Sequence, residues 1–153
     1  MANGNIKNHT NIEQFKAILK KHSLKATAQR LAVHEAMMQL GHASADMVTD
    51  AIRRNGKAKV TVASVYNILT QLALLGIYDY RMSANNKMYF DVNTFPHMHI
   101  YDRESHIYKD VIDDELIGIV EEKLRHRRFK GFRIEHIDIQ LIGVSSKKKF
   151  QTA

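Results

Sequence analysis

Two histidines, His97 and His99, lie two residues apart, with Asp91 six residues before the first and Asp110 eleven residues after the second. Residues i and i+2 of a strand share a face, so a strand here places the two imidazoles side by side. Imidazole and carboxylate together suit a borderline divalent ion such as Zn²⁺, Fe²⁺ or Mn²⁺. A His-x-His pair alone is common, however, and a solvated or hydrogen-bonded pair is the simpler interpretation without further support.

The same residues leave two other functions open. A single ion held by histidine and carboxylate can activate water, so a mononuclear metal enzyme is the alternative from another class. The sequence offers no convincing substrate pocket for one. The second alternative is a DNA-binding regulator that responds to haem or to a small effector. With haem, His97 or His99 would be the axial ligand. Absorbance of the purified protein separates these interpretations.

A second set of polar residues follows one face of a predicted helix that ends before Gly76. Its apolar stripe comprises Val62, Val65, Leu69 and Leu72, and its polar face comprises Ser64, Asn67 and Gln71, with Tyr66 at the edge. An α-helix fits the major groove and reads base edges with such a face, while cations hold the phosphates. The candidate phosphate contacts on neighbouring segments are Lys25, Arg30, Lys57 and Lys59.

The elements that must position these residues begin with three more helices. Thr10 and Glu13 form a capping-box pattern ahead of a first helix that carries Ile12, Phe15 and Leu19 on one side. A second helix starts near Thr27 and stops at Gly41, and a third is capped by Ser44 and ends at residues 55–56. After the fourth helix, YDYRMS (78–83) and KMYFDV (87–92) predict a β-hairpin. Helices followed by a hairpin are the winged-helix order.

The second half predicts a small α/β domain. Residues 93–96, which include the single proline Pro96, resemble a hinge. Strands follow at 97–102 and 106–111, then a helix at about 114–128 and a strand at about 132–144 whose alternation slips between Ile134 and Ile137. The fold class is therefore α+β. Its parts are a winged helix-turn-helix over 1–83 with the wing extending to about 92, a wing end and hinge over 84–96, and a dimerisation and metal-sensing domain over 97–153.

Composition narrows the function classes. The 153 residues carry a formal charge of +7, and residues 1–80 hold 10 Lys and Arg against 5 Asp and Glu, so the basic half is the one with the predicted DNA helix. Apolar runs are too short for a membrane span or a signal peptide, which makes a cytoplasmic location the expectation. Without cysteine there is no disulfide, thiolate zinc site or cysteine nucleophile.

Two basic segments have simpler interpretations. In KLRHRRFK (123–130), the cations suit the C-terminal end of a helix through its dipole, and a second nucleic-acid patch is the alternative. Lys147, Lys148 and Lys149 are expected to form a solvated tail.

Five segments, in order and spacing, resemble the ferric uptake regulator superfamily, which includes peroxide-responsive repressors. They are LKATAQRLAVHEAM, GHASADMV, TVASVYNILTQLALLGI, MYFDVNTFPHMHIYD and YKDV, within residues 12 to 144. The resemblance implies a homodimeric repressor, not an enzyme, that binds an inverted-repeat operator in double-stranded DNA. It also implies one regulatory divalent ion per subunit, Fe²⁺, Mn²⁺ or Zn²⁺, whose ligands here would be His42, Asp91, His97, His99 and Asp110.

The mechanism implied by the resemblance is that the ion, held by ligands from both domains, acts as corepressor for metal-homeostasis or peroxide-stress genes. Aspartate at both acid positions is closer to the peroxide-sensing branch. If peroxide is the signal, the lack of thiols leaves metal-catalysed oxidation of His42 or His97 as the route.

The sequence also departs from the family pattern. The family's structural zinc uses two Cys-x-x-Cys pairs; Asp102 and Ser105 occupy the first pair's positions and no second pair follows. We therefore expect no such zinc site, and a replacement ion at Asp102, Glu104 and His106 is less favoured than simple surface polarity. A further family site is lost because Pro96 and Met98 occupy its positions. Dimer stability must then come from strand pairing and apolar residues such as Leu116, Val120 and Leu124.

Overall fold

The computed structural model describes residues 10–146, which divide into two compact units. The first unit ends at Thr94 and the second begins at Phe95. The first contains α1 (Ile12–Lys21), α2 (Ala28–Leu40), β1 (His42–Ala43), α3 (Ala45–Asn55), α4 (Val62–Leu74), β2 (Asp79–Met82) and β3 (Met88–Asp91). Four helices followed by a hairpin confirm the predicted order.

The helix starts depend on side-chain caps. Thr27 and Ser44 accept hydrogen bonds from backbone N–H groups at the starts of α2 and α3, as predicted. The prediction for α1 was wrong by one residue, since the capping box joins Asn11 to Gln14. The Asn11 side chain accepts from Gln14 N at 2.8 Å, and the Gln14 side chain accepts from Asn11 N at 2.9 Å.

The core of the first unit lies between the four helices and the hairpin. Three of the four residues in the predicted α4 stripe are buried, but Val62 is 39% exposed because it occupies the first position of the helix. The other fully buried side chains from α1, α2 and α3 include Phe15, Leu19, Val33, Met37 and Val48. This core fixes the orientation of α4, so its polar residues lie on the opposite side.

A hydrogen-bonded histidine joins α2 to two other parts of this core. His34 is buried and stacks on Phe15 with ring centroids 4.0 Å apart. His34 Nε2 donates to the carbonyl oxygen of Thr10 at 2.6 Å, so Nδ1 accepts from the Tyr78 hydroxyl at 2.6 Å. Burial raises the pKa of Tyr78, which keeps its hydroxyl protonated as the donor.

The wing is the β2–β3 hairpin, extended by a strand that the sequence did not predict. Strand order is β1-β3-β2, with all pairs antiparallel. Strand β1 has only two residues, too few to show a period-2 pattern. Its pairing places His42 opposite Asp91.

The second unit contains β4 (Met98–Asp102), β5 (Ile107–Val111), α5 (Asp114–Arg125) and β6 (Gln140–Gly143). Strand β4 is central, antiparallel to β5 and parallel to β6. The last predicted strand was too long, because only Gln140–Gly143 forms a strand, while residues 132–138 are exposed and form only an isolated bridge between Phe129 and Phe132. The slipped alternation near Ile134 marks this irregular stretch.

Helix α5 ends three residues earlier than predicted. Its C-cap is His126, and the next residue, Arg127, donates its N–H to the carbonyl of Leu124 at 3.0 Å in a tight turn. No residue of α5 is buried, and Leu116 and Ile119 are 39% and 51% exposed. This helix therefore has an apolar side that its own unit does not cover.

The expectation for Lys147, Lys148 and Lys149 lies outside the described residues. Within residues 10–146, no helix is both long and apolar enough to cross a membrane.

Candidate functional site

In the second unit, the β4–β5 register brings three of the predicted metal ligands together. His99 lies opposite Asp110 in the pairing, and His97 lies two residues before His99 on the same side. Asp110 Oδ1 is 3.2 Å from His97 Nε2 and 3.6 Å from His99 Nε2. The ligand atoms of these three residues lie within 4.8 Å of one another, and both histidines are buried.

The backbone sets the tautomer of His97. Its Nδ1 lies within hydrogen-bond distance of the Phe95 carbonyl oxygen, which can only accept, so Nδ1 carries the hydrogen. In the neutral ring, Nε2 then presents its lone pair towards Asp110 Oδ1. Two acceptors face each other at this distance only when they share a proton or a cation. The pair can therefore hold either a proton or a metal cation.

His99 is oriented by a chain of polar groups that the sequence analysis did not identify. The Tyr108 hydroxyl donates to Gln140 Oε1 at 3.1 Å, and Gln140 Nε2 donates to Asp138 Oδ2 at 2.9 Å. Asp138 Oδ1 is 3.6 Å from His99 Nδ1. A carboxylate at this nitrogen favours the tautomer that directs the Nε2 lone pair towards Asp110.

In the first unit, the β1–β3 pairing joins the other two predicted ligands. His42 Nε2 is 3.0 Å from Asp91 Oδ2, and both side chains are at most 9% exposed. Arg81 Nη1 lies 3.3 Å from the same carboxylate oxygen, and Asn93 N donates to Asp91 Oδ1 at 2.8 Å. These donors hold Asp91 as an anion in a fixed rotamer.

Each unit thus presents a buried part of the predicted site. The five side chains offer three imidazoles and two carboxylates, and no thiolate. Such a donor set suits borderline divalent ions and gives no preference between iron, manganese and zinc. The chemistry of the described residues therefore fits the metal that the sequence predicted, and the identity of the ion is not encoded in the donor types.

The predicted DNA-reading face of α4 is partly exposed. Asn67 and Tyr66 are exposed, and the Tyr66 ring meets Phe90 of the wing edge-on with centroids 6.3 Å apart. Ser64 instead serves the helix start, because its hydroxyl donates to the Thr61 carbonyl and accepts from Thr61 N. Gln71 is half-buried and accepts from Arg30 Nη2 at 3.1 Å.

The predicted phosphate contacts differ in their surroundings. Lys25 and Lys59 are exposed, and neither forms an ion pair with another residue of the described range 10–146. Lys57 Nζ lies 2.8 Å from Glu35 in an ion pair. Arg30 also donates to the Lys25 carbonyl at 2.9 Å, so it links the start of α2 to α4. Lys25 and Lys59 are the better placed of the four to meet a phosphate.

The β4–β5 turn holds hydrogen bonds at the positions where the family pattern places cysteines. Asp102 accepts from Glu104 N at 2.9 Å and from the Ser145 hydroxyl at 2.7 Å. The bond from Ser145, followed by those from Glu104 and Ser105, lowers the pKa of Asp102 to about 2. His106 Nδ1 is 2.7 Å from the Tyr101 hydroxyl. Among residues 10–146, the side chains of this turn form no group that could hold a metal.

Sequence reasoning missed Arg81 and Asp138. Arg81 is a cation in DYRM that is buried while its neighbours Tyr80 and Met82 are exposed, and strand alternation alone could have suggested this. No sequence pattern indicated a role for Asp138, because it precedes β6 in an irregular segment.

The comparisons with known proteins agree on one family. The model of the ferric uptake regulator family matches residues 21–142. The fold is similar to that of the Vibrio cholerae ferric uptake regulator, with 21% identity, a TM-score of 0.73, and coverage of 86% of this chain and 99% of that chain. No curated protein matches the sequence.

Two further solved structures show the same fold. The Pseudomonas aeruginosa ferric uptake regulator, solved with manganese, is 23% identical with a TM-score of 0.68, and the match covers 86% of this chain and 98% of that one. The Campylobacter jejuni peroxide stress regulator is 24% identical with a TM-score of 0.60, covering 86% and 96%. At these identities the likeness concerns the fold.

Proposed function

Because this chain belongs to the ferric uptake regulator family, whose members are metal-responsive transcription regulators and not enzymes, we propose that it is a repressor with a divalent ion as corepressor. The ion is Fe²⁺, Mn²⁺ or Zn²⁺, and the regulated genes serve metal homeostasis or the peroxide response. The observation that carries the proposal is the group of His97, His99 and Asp110, whose ligand atoms lie within 4.8 Å of one another and whose two histidines are buried.

In this proposal one ion takes ligands from both units: His42 and Asp91 from the first, and His97, His99 and Asp110 from the second. Bound metal supplies positive charge and directional coordination. Asp91 is already anionic because Arg81 and Asn93 donate to it, and His97 already carries its hydrogen on Nδ1. Preset ligands lower the ordering cost of binding. Free energy of metal binding then favours one arrangement of the units, with a coupling of roughly 1–3 kcal/mol.

The DNA ligand is a double-stranded operator with an inverted repeat, read by α4. Asn67 and Tyr66 are the exposed candidates for base contacts, and Lys25 and Lys59 are the candidates for phosphate contacts. A homodimer matches the two-fold symmetry of such an operator. A homodimer is supported by exposed apolar residues on α5 and β6, which are Leu116, Ile119, Leu141 and Ile142.

The test is operator binding with and without each of Mn²⁺, Fe²⁺ and Zn²⁺, measured by fluorescence anisotropy on a family-type inverted repeat. His97→Ala removes a ligand and is expected to abolish the metal-dependent part of the affinity, a loss of about 5- to 150-fold. His126→Ala is the matched control, because His126 is an exposed histidine of the same unit. Tight binding that ignores both the metal and His97→Ala would overturn the corepressor mechanism.

A further inference from the structure

Arg81 is a buried cation that contacts one of the proposed metal ligands. Its side chain is directed inward from β2, whereas Tyr80 and Met82 on either side are 52% and 54% exposed. Arg81 Nη1 donates to Asp91 Oδ2 at 3.3 Å, and His42 Nε2 lies 3.0 Å from the same oxygen. Arg81 is 7% exposed and Asp91 is 1% exposed. A proposed ligand oxygen of the first unit is therefore already in contact with a permanent positive charge.

The orientation of Asp91 does not depend on Arg81 alone. The other carboxylate oxygen, Oδ1, accepts from the Asn93 backbone N–H at 2.8 Å. Asp91 also lies on β3, which is the central strand of its sheet, so strands on both sides fix its backbone. A backbone donor and two strand pairings already set the direction of this side chain. What Arg81 adds to Asp91 is above all positive charge.

This charge stabilises the protein when no metal is bound. A carboxylate that is 1% exposed has lost most of its hydration, and a buried charge without a compensating charge is strongly unfavourable. Arg81 supplies the compensating charge within the first unit, at hydrogen-bond distance. A guanidinium keeps its charge in proteins, so this compensation does not depend on a bound ion.

A divalent ion on Asp91 would bring a second cation to the same carboxylate. Two cations repel each other, and this repulsion is only weakly screened where the side chains are buried. The guanidinium also takes up part of the negative charge that would attract the ion. Arg81 therefore stabilises the metal-free form more than the metal-bound form, and such a difference shifts the equilibrium between the two.

We propose that Arg81 is the counter-ion of Asp91 in the metal-free protein and that it weakens the affinity for the regulatory ion. The inference rests on the proposed function, because it takes Asp91 to be a metal ligand. In this role Arg81 sets the metal concentration at which the repressor forms, since the ion has to compete with the guanidinium. A positive charge beside a ligand opposes tight binding, but it suits a sensor that must release its ion when the metal becomes scarce.

The experiment measures the affinity of the full chain for Mn²⁺ and, separately, for Zn²⁺ by competition with a chromophoric chelator. Arg81→Gln removes the charge, and we expect the affinity to rise about 10-fold or more, since an arginine beside an aspartate weakens the binding of another cation, the proton, by about 10- to 1,000-fold. Arg81→Lys keeps the charge and should remain close to the wild type. Arg54→Gln removes an exposed cation of the same unit and is the matched control, with an unchanged affinity expected.

Thermal unfolding distinguishes this effect of charge from a merely structural role. Without metal, Arg81→Gln should unfold at a lower temperature than the wild type, because Asp91 has lost its counter-ion. With Mn²⁺ the ion replaces that counter-ion, so the rise in Tm on adding Mn²⁺ should be larger than in the wild type. A loosened strand would instead reduce both the affinity and this rise. If Arg81→Gln does not fold without metal, Mn²⁺ is expected to restore the circular dichroism spectrum of the wild type.

Three results would overturn the inference. They are an Mn²⁺ and Zn²⁺ affinity of Arg81→Gln that is equal to or weaker than that of the wild type, an equal gain in affinity in Arg81→Lys, and an unfolded Arg81→Gln protein that Mn²⁺ does not restore.

Asp91→Asn separates such a failure from a failure of the proposed function. If Asp91→Asn weakens metal binding while Arg81→Gln does not strengthen it, only the role of Arg81 is wrong. If the wild type binds neither ion, or if Asp91→Asn leaves the affinity unchanged, the proposed ligand set is wrong and so is the inference.

Discussion

At the residue scale, the candidate site depends on side chains that hold the ligands as much as on the ligands themselves. His97 has its tautomer set by the Phe95 carbonyl, and Asp91 has its charge held by Arg81. His99 is oriented through Asp138, Gln140 and Tyr108. Changes to these partners should therefore affect metal binding without removing a ligand.

Asp138→Asn tests the orienting role of this carboxylate. The variant loses the negative charge at His99 Nδ1, so the ring is held less firmly, and we expect metal affinity to fall about 10- to 100-fold. Competition with a chromophoric chelator measures the Mn²⁺ or Zn²⁺ affinity directly. Glu135→Gln, an exposed acid on the same segment, is the control. Equal affinities for the two variants would show that Asp138 does not orient His99.

At the element scale, the strands that carry the ligands were predictable and one of their partners was not. The strands predicted over 97–102 and 106–111 correspond to β4 and β5, whose register places His99 opposite Asp110. The hairpin and four helices followed from caps and apolar periodicity. Strand β1 is too short to carry a pattern, so no local feature of the sequence indicates that His42 lies opposite Asp91. That residue entered the prediction only through the family resemblance.

The predicted last strand shows a different limit of reading structure from the sequence. Alternation predicted a strand over about 132–144, but only Gln140–Gly143 finds a partner, which is β4. Strand formation needs a neighbouring edge, and local pattern does not report whether one exists. The same limit hid Asp138, whose role depends on the parallel pairing of β6 with β4.

Because of its hydrogen bonds, the stability of the β4–β5 turn is expected to depend on pH. The folded-state pKa of Asp102 is about 2, below the ordinary value of about 3.9, so the turn is stabilised above pH about 3.9. That contribution disappears as pH falls through about 2. Ser145→Ala removes the largest cause and should raise the pKa of Asp102 towards its ordinary value. An NMR titration of the carboxyl carbon measures this, with Ser146→Ala as the control; an unchanged pKa in Ser145→Ala would contradict the assignment.

At the scale of the whole molecule, the uncovered apolar side of α5 should determine assembly. Ile119 is 51% exposed, and a glutamate there would be buried without a partner in a dimer. We expect Ile119→Glu to shift sedimentation towards the monomer and to weaken operator binding, because a two-fold site needs both subunits. Leu74→Glu places the same charge on an exposed apolar residue of the first unit and should leave sedimentation unchanged. A dimeric Ile119→Glu variant would place the interface elsewhere.

The turn at Asp102 bears on which chemical stresses can change the structure of the second unit. Where thiolates and a second ion hold such a turn, oxidants and chelators have two targets. Zinc starvation or thiol oxidation in the cell then changes the turn as well as the regulatory metal site. Here the link from the turn to the segment after β6 is a carboxylate accepting from a serine hydroxyl, and the chain contains no sulfur that can form a disulfide. Under the proposed corepressor mechanism, this turn adds neither a thiol nor a second ion as a target, and DNA binding would follow the occupancy of the one regulatory ion.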